Sequence, residues 1–250
     1  MNDFVVVIPA RYASERLPGK PLRLIAGKPM IEHVYARATE SSAREVFVAT
    51  DDERIADAVA KFGGNVCMTG AGHTSGTERL AEVCALEGWD DDACVVNLQG
   101  DEPLMPAALI DQCAALLSDF SVQLSTLASP LQSAEDFANP NIVKVVCTDN
   151  GNALYFSRAA IPHARNATDA PLAMASALHH HGIYGYRVSV LRQLVAAKPS
   201  SLEMAERLEQ LRALSLGMTI RVGIPRTRPG IGVDTEDDLH AVERVISERA

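Results

Sequence analysis

A short loop near the start of the chain concentrates positive charge. Arg11, Arg16 and Lys20 outnumber the one acidic residue of this loop, in a chain of formal net charge −9. The apolar, β-branched run at residues 4–8 precedes the loop and is typical of a buried strand. Gly19 and the prolines near it favour a backbone in which cations and loop N–H groups face one anion. These residues predict a polyphosphate-binding loop.

The loop differs from a Walker A loop. Pro21 follows Gly19 and Lys20 at the position where that motif needs Ser or Thr and the start of a helix. The alternative is a solvated surface loop, because loops are commonly rich in charged residues. The residues alone leave both interpretations open.

Two aspartates stand where they could bind one divalent cation. Asp101 lies in a turn after a strand predicted at 93–98, and Asp234 follows a glycine-containing segment and precedes a predicted helix. Mg²⁺ prefers one or two carboxylates together with phosphate oxygens and water. We therefore expect both carboxylates to meet at one site facing the cationic loop. Each also has a simpler interpretation, with Asp101 as a solvated turn residue and Asp234 as a helix cap.

Other polar residues have an ordinary structural interpretation. Ser75 and Glu78 resemble a helix-capping pair. Arg79 would lie on the first helical turn, where a cation opposes the helix macrodipole and has no evident stabilising role. Glu209 and Gln210 fall in a helix-like segment and would normally form a solvated face. Spacing alone assigns none of these residues a function.

Three consecutive histidines at 179–181 suggest a metal site at first sight. Alternate side chains of a strand point to opposite faces, so the three cannot all bind one ion. We expect no transition-metal site at this run.

Composition limits the class of protein. With 250 residues, 47% of them hydrophobic, the chain can bury a substantial core as one large or two small domains. The acidic balance argues against a long nucleic acid as the main partner. Five cysteines without a C-x-x-C pair are typical of reduced thiols, so we expect a cytoplasmic protein. No apolar stretch reaches membrane-spanning length, so we expect no membrane insertion.

The periodicity predicts an α/β fold with a doubly wound, mostly parallel sheet. Strands are predicted at 4–8, 45–49, 65–68 and 93–98, with helices near 29–41, 52–62, 75–88 and 106–118. From about 129 to 212 the pattern changes to short strands and several prolines, which predicts an inserted substrate or dimerisation subdomain. A strand at 219–223 and a helix at 235–248 then return to the core. We thus predict one domain, with a core of about 1–128 and 213–250.

Several motifs together carry a family resemblance over essentially the full chain. They are PARYASERLPGKP, SGTERLAE, NLQGDEP, NPNIVKVV, ALYFSRA, HGIYGYR, LEQLR and GIGVDT. In this order they resemble the 3-deoxy-D-manno-octulosonate cytidylyltransferases, or CMP-Kdo synthetases. The first motif is shared loosely with other sugar nucleotidyltransferases. YFSRA, HGIYGYR and LEQLR are more specific and match the sugar-acid side of the family.

The resemblance implies transfer of CMP from CTP to the 2-hydroxyl of Kdo, with release of pyrophosphate, for lipopolysaccharide synthesis. It also implies a nucleotidyltransferase-type fold, Mg²⁺ and a homodimer. Its nucleotide-binding positions are Ala10, Arg11, Ser14, Arg16, Lys20, Ser75 and Gly76. Its substrate-binding positions are Arg79, Gln99, Arg158, His180, Tyr184, Glu209 and Gln210. Catalytic positions are Lys20, Asp101 and Asp234, the last two as metal ligands, whereas His179 and His181 inherit no role.

The chemistry that the resemblance implies needs charge neutralisation more than a covalent nucleophile, because the triphosphate repels an incoming hydroxylate. The planar fork of Arg158 makes it the best candidate for the sugar carboxylate. Two alternatives stay open: a cytidylyltransferase for 8-amino-Kdo or sialic acid, and a nucleotide-binding regulator without turnover.

Overall fold

Strands and helices alternate through the first half of the chain. The computed structural model describes residues 3–13 and 17–248. The strands are β1 (Phe4–Pro9), β2 (Leu24–Ile25), β3 (Lys28–Pro29), β4 (Glu45–Thr50), β5 (Asn65–Met68), β6 (Cys94–Asn97), β7 (Leu124–Pro130), β8 (Lys144–Cys147), β9 (Ala153–Ser157), β10 (Ala177–Arg187) and β11 (Ile220–Gly223). The helices are α1 (Met30–Thr39), α2 (Glu53–Lys61), α3 (Gly76–Leu86), α4 (Ala107–Ala115), α5 (Ala134–Ala138), α6 (Ala170–Ala175), α7 (Val188–Ala196), α8 (Ser201–Glu206), α9 (Gln210–Ser215) and α10 (Glu236–Ser247).

One large mixed sheet organises the molecule, in the order β11-β7-β10-β6-β1-β4-β5. β1 pairs in parallel with β4 and β6, β4 with β5, and β11 with β7. Helices cover both faces of the sheet: α1, α2, α4 and α10 pack on one, and α3, α7 and α9 on the other. The doubly wound, mostly parallel α/β fold predicted from the periodicity is confirmed.

Strand β1 is buried on both faces, as its unbroken apolar run predicts. Phe4, Val6 and Ile8 join the core on one side of the sheet, whereas Val5 and Val7 join the core on the other. Each such side chain contributes about 1.5–3 kcal/mol through burial of apolar surface. This central strand therefore holds the cationic loop at its carboxyl end on a rigid support.

Strand β10 connects the predicted inserted segment to the main sheet. It pairs antiparallel with both β6 and β7, so its second half lies in the middle of the sheet. Its first residues pair with β8, which in turn pairs with β9. The sheet is thus continuous through both predicted parts of the chain, and the boundary at residues 129–212 stays a prediction.

The segment after β11 returns to the carboxyl end of β6. The Val233 amide donates to the Asp101 carbonyl at 2.9 Å. A Cβ at Gly230 would lie 2.4 Å from both the Cβ and the carbonyl oxygen of Leu104. Only glycine fits this approach, which explains why the segment is rich in glycine.

None of the helices in the described part of the chain is long and apolar enough to cross a membrane.

We predict that Gly230→Ala destabilises the protein by about 1–3 kcal/mol, because the added methyl group must displace backbone. Chemical denaturation would measure the free energy of unfolding. Gly72→Ala is the matched control, since a Cβ there would have no heavy atom within 4 Å. Equal, small effects of the two substitutions would contradict the close packing at Gly230.

Candidate active site

A lysine joins the two aspartates that the sequence singled out. Lys20 Nζ donates to Asp101 Oδ2 at 2.7 Å and to Asp234 Oδ1 at 3.1 Å. Asp101 follows β6, and Asp234 stands just before α10. The fold therefore brings together two carboxylates and a cation from three distant parts of the sequence.

The backbone before Lys20 fixes where its side chain begins. Gly19 has a φ of +65°, and the Tyr12 ring lies 3.2 Å from the position that a Cβ would take. A short 3₁₀ turn then starts at Lys20. Burial alone would lower the pKa of the Lys20 ammonium, but Asp101 and Asp234 outweigh burial and raise it. Lys20 is accordingly charged at neutral pH.

Asp234 does not cap helix α10. The N-cap is Thr235, whose hydroxyl oxygen accepts a hydrogen bond from the Asp238 amide, while the Asp238 carboxylate accepts from the Thr235 amide. This capping box satisfies the helix start without Asp234. The carboxylate of Asp234 is directed to Lys20 instead, which removes the capping interpretation left open by the sequence.

Glu102 lies beside these charged groups, and its carboxyl group has a raised pKa. Burial, together with the nearby Asp101 and Asp234 carboxylates, raises the pKa of Glu102 to about 8, although Lys20 acts in the opposite direction. Glu102 therefore carries a proton at neutral pH in the free protein. This leaves Asp101 and Asp234 as the anionic pair of the site.

The aspartate pair fits a hard divalent cation that also takes ligands from a substrate. Oxygens of both carboxylates already converge on one positive charge, the Lys20 ammonium. Among the described residues, no group of three or more His, Cys, Asp or Glu side chains could by itself hold a metal ion. Mg²⁺ commonly binds by one or two carboxylates completed by phosphate oxygens and water, so this donor set suits it.

A cavity of about 600 Å³ lies next to the aspartates, on the sheet face covered by α3 and α9. We call it the inner cavity. Nine of the residues assigned from the family resemblance line it: Arg11, Gly76, Gln99, Arg158, His180, Tyr184, Glu209, Gln210 and Asp234. Its volume is typical of sites for small-molecule ligands.

The starts of two helices form adjoining walls of the inner cavity. Gly76 and Thr77 begin α3, and Glu209 and Gln210 begin α9. The Thr77 hydroxyl donates to Glu209 Oε2 at 2.6 Å, a hydrogen bond between residues 132 positions apart. This contact fixes the distance between the two walls.

Several polar atoms of the inner cavity lack hydrogen bonds. Within the described residues, Asn97 Oδ1, Tyr184 Oη and Gln210 Nε2 are buried and have no hydrogen-bond partner. Thr126 lies close to the Tyr184 hydroxyl but outside hydrogen-bonding geometry. Buried polar groups are nearly always paired in folded proteins. The cavity therefore presents donors and acceptors suited to a polar ligand.

Arg158 is held in place by the surrounding backbone. Its Nε donates to the Glu206 carbonyl at 2.8 Å and its Nη1 to the Pro140 carbonyl at 3.2 Å. Its second terminal nitrogen makes no hydrogen bond within the described chain. Fully buried Lys144 donates to the Arg158 carbonyl at 2.7 Å, and its ammonium also binds two other carbonyls. The guanidinium thus reaches the cavity from a fixed backbone.

His180 enters the cavity as a neutral ring. Burial, with smaller effects of His181 and His179, lowers the pKa of His180 to about 3. The Thr126 hydroxyl donates to the Ile183 carbonyl at 2.7 Å, so it accepts from Nε2 of His180 at 3.1 Å. The Nδ1 atom of this tautomer is then an acceptor.

Comparison with known proteins identifies the family. A family profile described as "Cytidylyltransferase" matches residues 5–220. The chain belongs to the cytidylyltransferase family. It is 52% identical over 250 residues to the 3-deoxy-manno-octulosonate cytidylyltransferase of Vibrio vulnificus strain YJ016, covering 99% of this chain and 100% of the relative.

Solved structures agree with this membership. A CMP:2-keto-3-deoxy-manno-octonic acid synthetase complexed with CTP superposes with a TM-score of 0.90 at 43% identity, covering 100% of both chains. A cytidylyltransferase from Leptospira borgpetersenii serovar Hardjo-bovis strain JB197 has a TM-score of 0.65 at 17% identity, covering 99% of this chain and 88% of that one. The second likeness shows the shared fold alone.

Some assigned residues lie outside the inner cavity of this cytidylyltransferase. Arg79 is fully buried, hydrogen-bonds the Thr69 hydroxyl and pairs with Asp51 at 3.2 Å. These partners give it the stabilising role that helix-dipole reasoning did not find. Ala10 is buried at the end of β1, and Ser75 caps α3. Ser14 and Arg16 lie outside the described residues.

Three residues of the site were not singled out from the sequence. Asn97 and Thr77 line the inner cavity, and Glu102 lines it beside the aspartate pair. A usable signal existed for Asn97, because it ends an apolar strand directly before the turn that carries Asp101. Ligand groups of open α/β sheets gather at such carboxyl ends. The signal for Thr77 is weaker, since a Thr in a first helical turn is ordinary.

The other two histidines of the run share the opposite face of β10. Their rings lie 4.8 Å apart, and His181 Nε2 is 2.9 Å from Ser129 Oγ. Burial, with a smaller effect of His179, lowers the pKa of His181 from 6.5 to about 4. Between these values the unfolded chain binds a proton that the folded protein does not. Stability is therefore lost as pH falls from 6.5 towards 4.

We predict that His181→Gln reduces this acid sensitivity. Each such proton is worth about 1.4 kcal/mol per pH unit, so the variant should lose about 1–2 kcal/mol less than the wild type between pH 6.5 and 5. Denaturant titrations at each pH would measure the free energy of unfolding. His240→Gln, at an exposed position of α10, is the matched control. A pH dependence in His181→Gln equal to that of the wild type would contradict the assignment.

Proposed function

We propose that this cytidylyltransferase transfers CMP from CTP to the 2-hydroxyl of Kdo and releases pyrophosphate. The observation that carries the proposal is the Lys20, Asp101 and Asp234 cluster at the mouth of the inner cavity. Such a cluster supplies a cation for phosphate oxygens and two carboxylates for a metal ion. The adjoining cavity supplies a guanidinium, amides and hydroxyls that could bind a polar acid. The relative at 52% identity is named for this reaction.

Positive charge would make the triphosphate reactive. The guanidinium of Arg11 reaches the start of α3, where both terminal nitrogens lie 3.4 Å from the Thr74 carbonyl oxygen. Arg11 and the N–H groups at the start of α3 would therefore face the same anion. Lys20 would add a second fixed cation. Together they would lower the repulsion between the triphosphate and an incoming hydroxylate.

Asp101 and Asp234 would hold Mg²⁺ in the complex with CTP. Bound there, the ion would neutralise phosphate charge and favour the ionised form of the attacking hydroxyl. Both carboxylates come from backbone that the fold holds in place, the turn after β6 for Asp101 and the residue before α10 for Asp234.

The sugar acid would occupy the inner cavity. Arg158 has a guanidinium nitrogen available, and a guanidinium suits a carboxylate better than an ammonium does. Neutral His180 would accept a hydrogen bond from a hydroxyl. Gln99, Tyr184, Glu209 and Gln210 would bind the remaining hydroxyls. This division separates a cationic phosphate side from a mostly neutral sugar side.

We further propose that the enzyme works in the cytoplasm as a homodimer. Support for the compartment comes from the five unpaired cysteines, of which four are buried among the described residues. The dimer rests on the family resemblance.

Pyrophosphate release would test the reaction directly. We expect turnover with CTP, Mg²⁺ and Kdo, and at least tenfold lower kcat/KM with 8-amino-Kdo or sialic acid. A coupled pyrophosphate assay of the purified protein would measure all three. Higher kcat/KM with either competing acid would replace the proposed substrate, and no release with any of them would overturn the proposed function.

We predict that Asp101→Asn and Asp234→Asn each lower kcat at least a hundredfold, because an amide keeps the shape but loses the charge. The double variant should lose far less than the product of the two factors, since residues that serve one ion act as a unit. A double-mutant cycle on kcat, with melting temperatures as a control for folding, would measure this. Simple multiplication of the two factors would show that the carboxylates act independently.

A further inference from the structure

We propose that Asn97 is a specificity-determining residue that hydrogen-bonds a hydroxyl group of the sugar acid. The proposal rests on the proposed function, because it names a further contact within the same substrate site. No motif assigned Asn97 a role, and its position in the cavity carries the argument.

Asn97 lies in the floor of the inner cavity. It is the last residue of β6, is 3% exposed, and stands opposite Tyr184 of the antiparallel neighbour β10. Tyr184 and Asn97 therefore lie side by side on the face of the sheet that α3 and α9 cover. Both line the cavity.

The amide of Asn97 is not used by the fold. Its Oδ1 atom is buried and has no hydrogen-bond partner among the described residues. A buried amide without partners destabilises a folded protein, whereas an apolar side chain of the same shape would not. The neighbouring strand residues Val95 and Val96 are apolar, so the local packing does not require an amide. A ligand explains the polar residue at this position.

The backbone near Asn97 keeps the amide accessible. A Cβ at Gly76 would lie 3.8 Å from Asn97 Nδ2 and 3.5 Å from the Pro9 ring. Because residue 76 is glycine, no side chain lies over the Nδ2 side of this amide.

The chemistry of the floor points to a polyol. Asn97 Oδ1 needs a donor, and the phosphates of CTP at neutral pH have none to offer. Among the described residues, Tyr184 Oη and Gln210 Nε2 are further buried atoms of the cavity wall without a partner. The Tyr184 hydroxyl can donate or accept a hydrogen bond and the Gln210 amide can donate one, so both could contact the same ligand. A sugar acid supplies several hydroxyls, each both donor and acceptor. The ribose of CTP is the other source of hydroxyls, and the experiment separates the two.

The test compares Asn97→Leu with the wild type, because leucine has nearly the shape of asparagine but no amide. We expect a melting temperature without substrates that is equal or higher, since an unpartnered amide is removed. KM for Kdo should rise at least tenfold, whereas the Kd for CTP, measured by calorimetry, should stay within twofold. Asn97→Ala is a second variant that would show the same split if the leucine cannot pack.

Two controls make the result specific. Asn65→Leu is the matched substitution outside the cavity, where Nδ2 donates to the Val46 carbonyl at 3.2 Å. It should lower the melting temperature and leave KM for Kdo unchanged. Monodeoxy analogues of Kdo provide the second control, because the analogue lacking the contacted hydroxyl should have the same KM with the wild type and with Asn97→Leu.

Three results would overturn the proposal. An unchanged KM for Kdo in a folded Asn97 variant would mean that the amide does not contact the sugar acid. A loss of CTP affinity equal to the loss for Kdo would assign Asn97 to CTP, through its ribose hydroxyls or its cytosine amino group. A lower melting temperature with no change in KM would make Asn97 structural. Failure of the wild type to turn over Kdo would instead refute the proposed function, and with it this contact.

Discussion

The site depends on one close approach between main chains, where the segment before α10 packs against the turn after β6. The Val233 amide binds the Asp101 carbonyl, and glycines at 230 and 232 leave no side chain between the two segments. Gly100 approaches the Pro9 carbonyl in the same way, since a Cβ there would lie 2.9 Å from that oxygen. These contacts bring the ends of β1, β6 and the C-terminal segment to one point. They bring the Asp101 and Asp234 carboxylates within reach of the Lys20 ammonium.

Two carboxylates at that point would repel each other without a cation. Lys20 supplies the cation in the free protein, and Glu102 adds no charge because its carboxyl group is protonated at neutral pH. Two carboxylates and one ammonium leave the cluster with one excess negative charge before any substrate arrives. A polyanion that attracts Lys20 would leave both carboxylates without their cation and available to another one. In this way the proposed binding of a triphosphate and the proposed binding of a divalent metal would be linked through a single side chain.

The apolar periodicity of the sequence predicts the strands and helices of the first half of the chain. Strands β1, β4, β5 and β6 and the helices between them match the expected positions closely, because each buries a periodic apolar face. Strand β10 could not be placed in the middle of the sheet, since its pairing with β6 and β7 joins distant segments and its sequence mixes histidine, glycine and tyrosine. The same limit applies to Arg79, whose partners Asp51 and Thr69 follow β4 and β5. Asp101 and Asp234 both contact Lys20, and the sequence allows this to be expected because both stand at element ends, which the topology brings to one edge of the sheet.

Two sets of buried polar residues in this protein differ in whether their hydrogen bonds are completed inside the chain. Lys144 and Arg212 are buried with all their main contacts inside the chain, the first with three carbonyls and the second with Glu203 and the Leu194 carbonyl. Their hydrogen bonds stabilise the loops that carry Arg158 and Gln210. Asn97, Tyr184 and Gln210 are buried with polar atoms unpaired inside the described chain. Buried polar atoms without a hydrogen-bond partner among the described residues also occur outside the inner cavity, at Arg79 and Arg187. The unpaired atoms of Asn97, Tyr184 and Gln210 differ from these because they line the cavity, which makes them the candidates for ligand contacts.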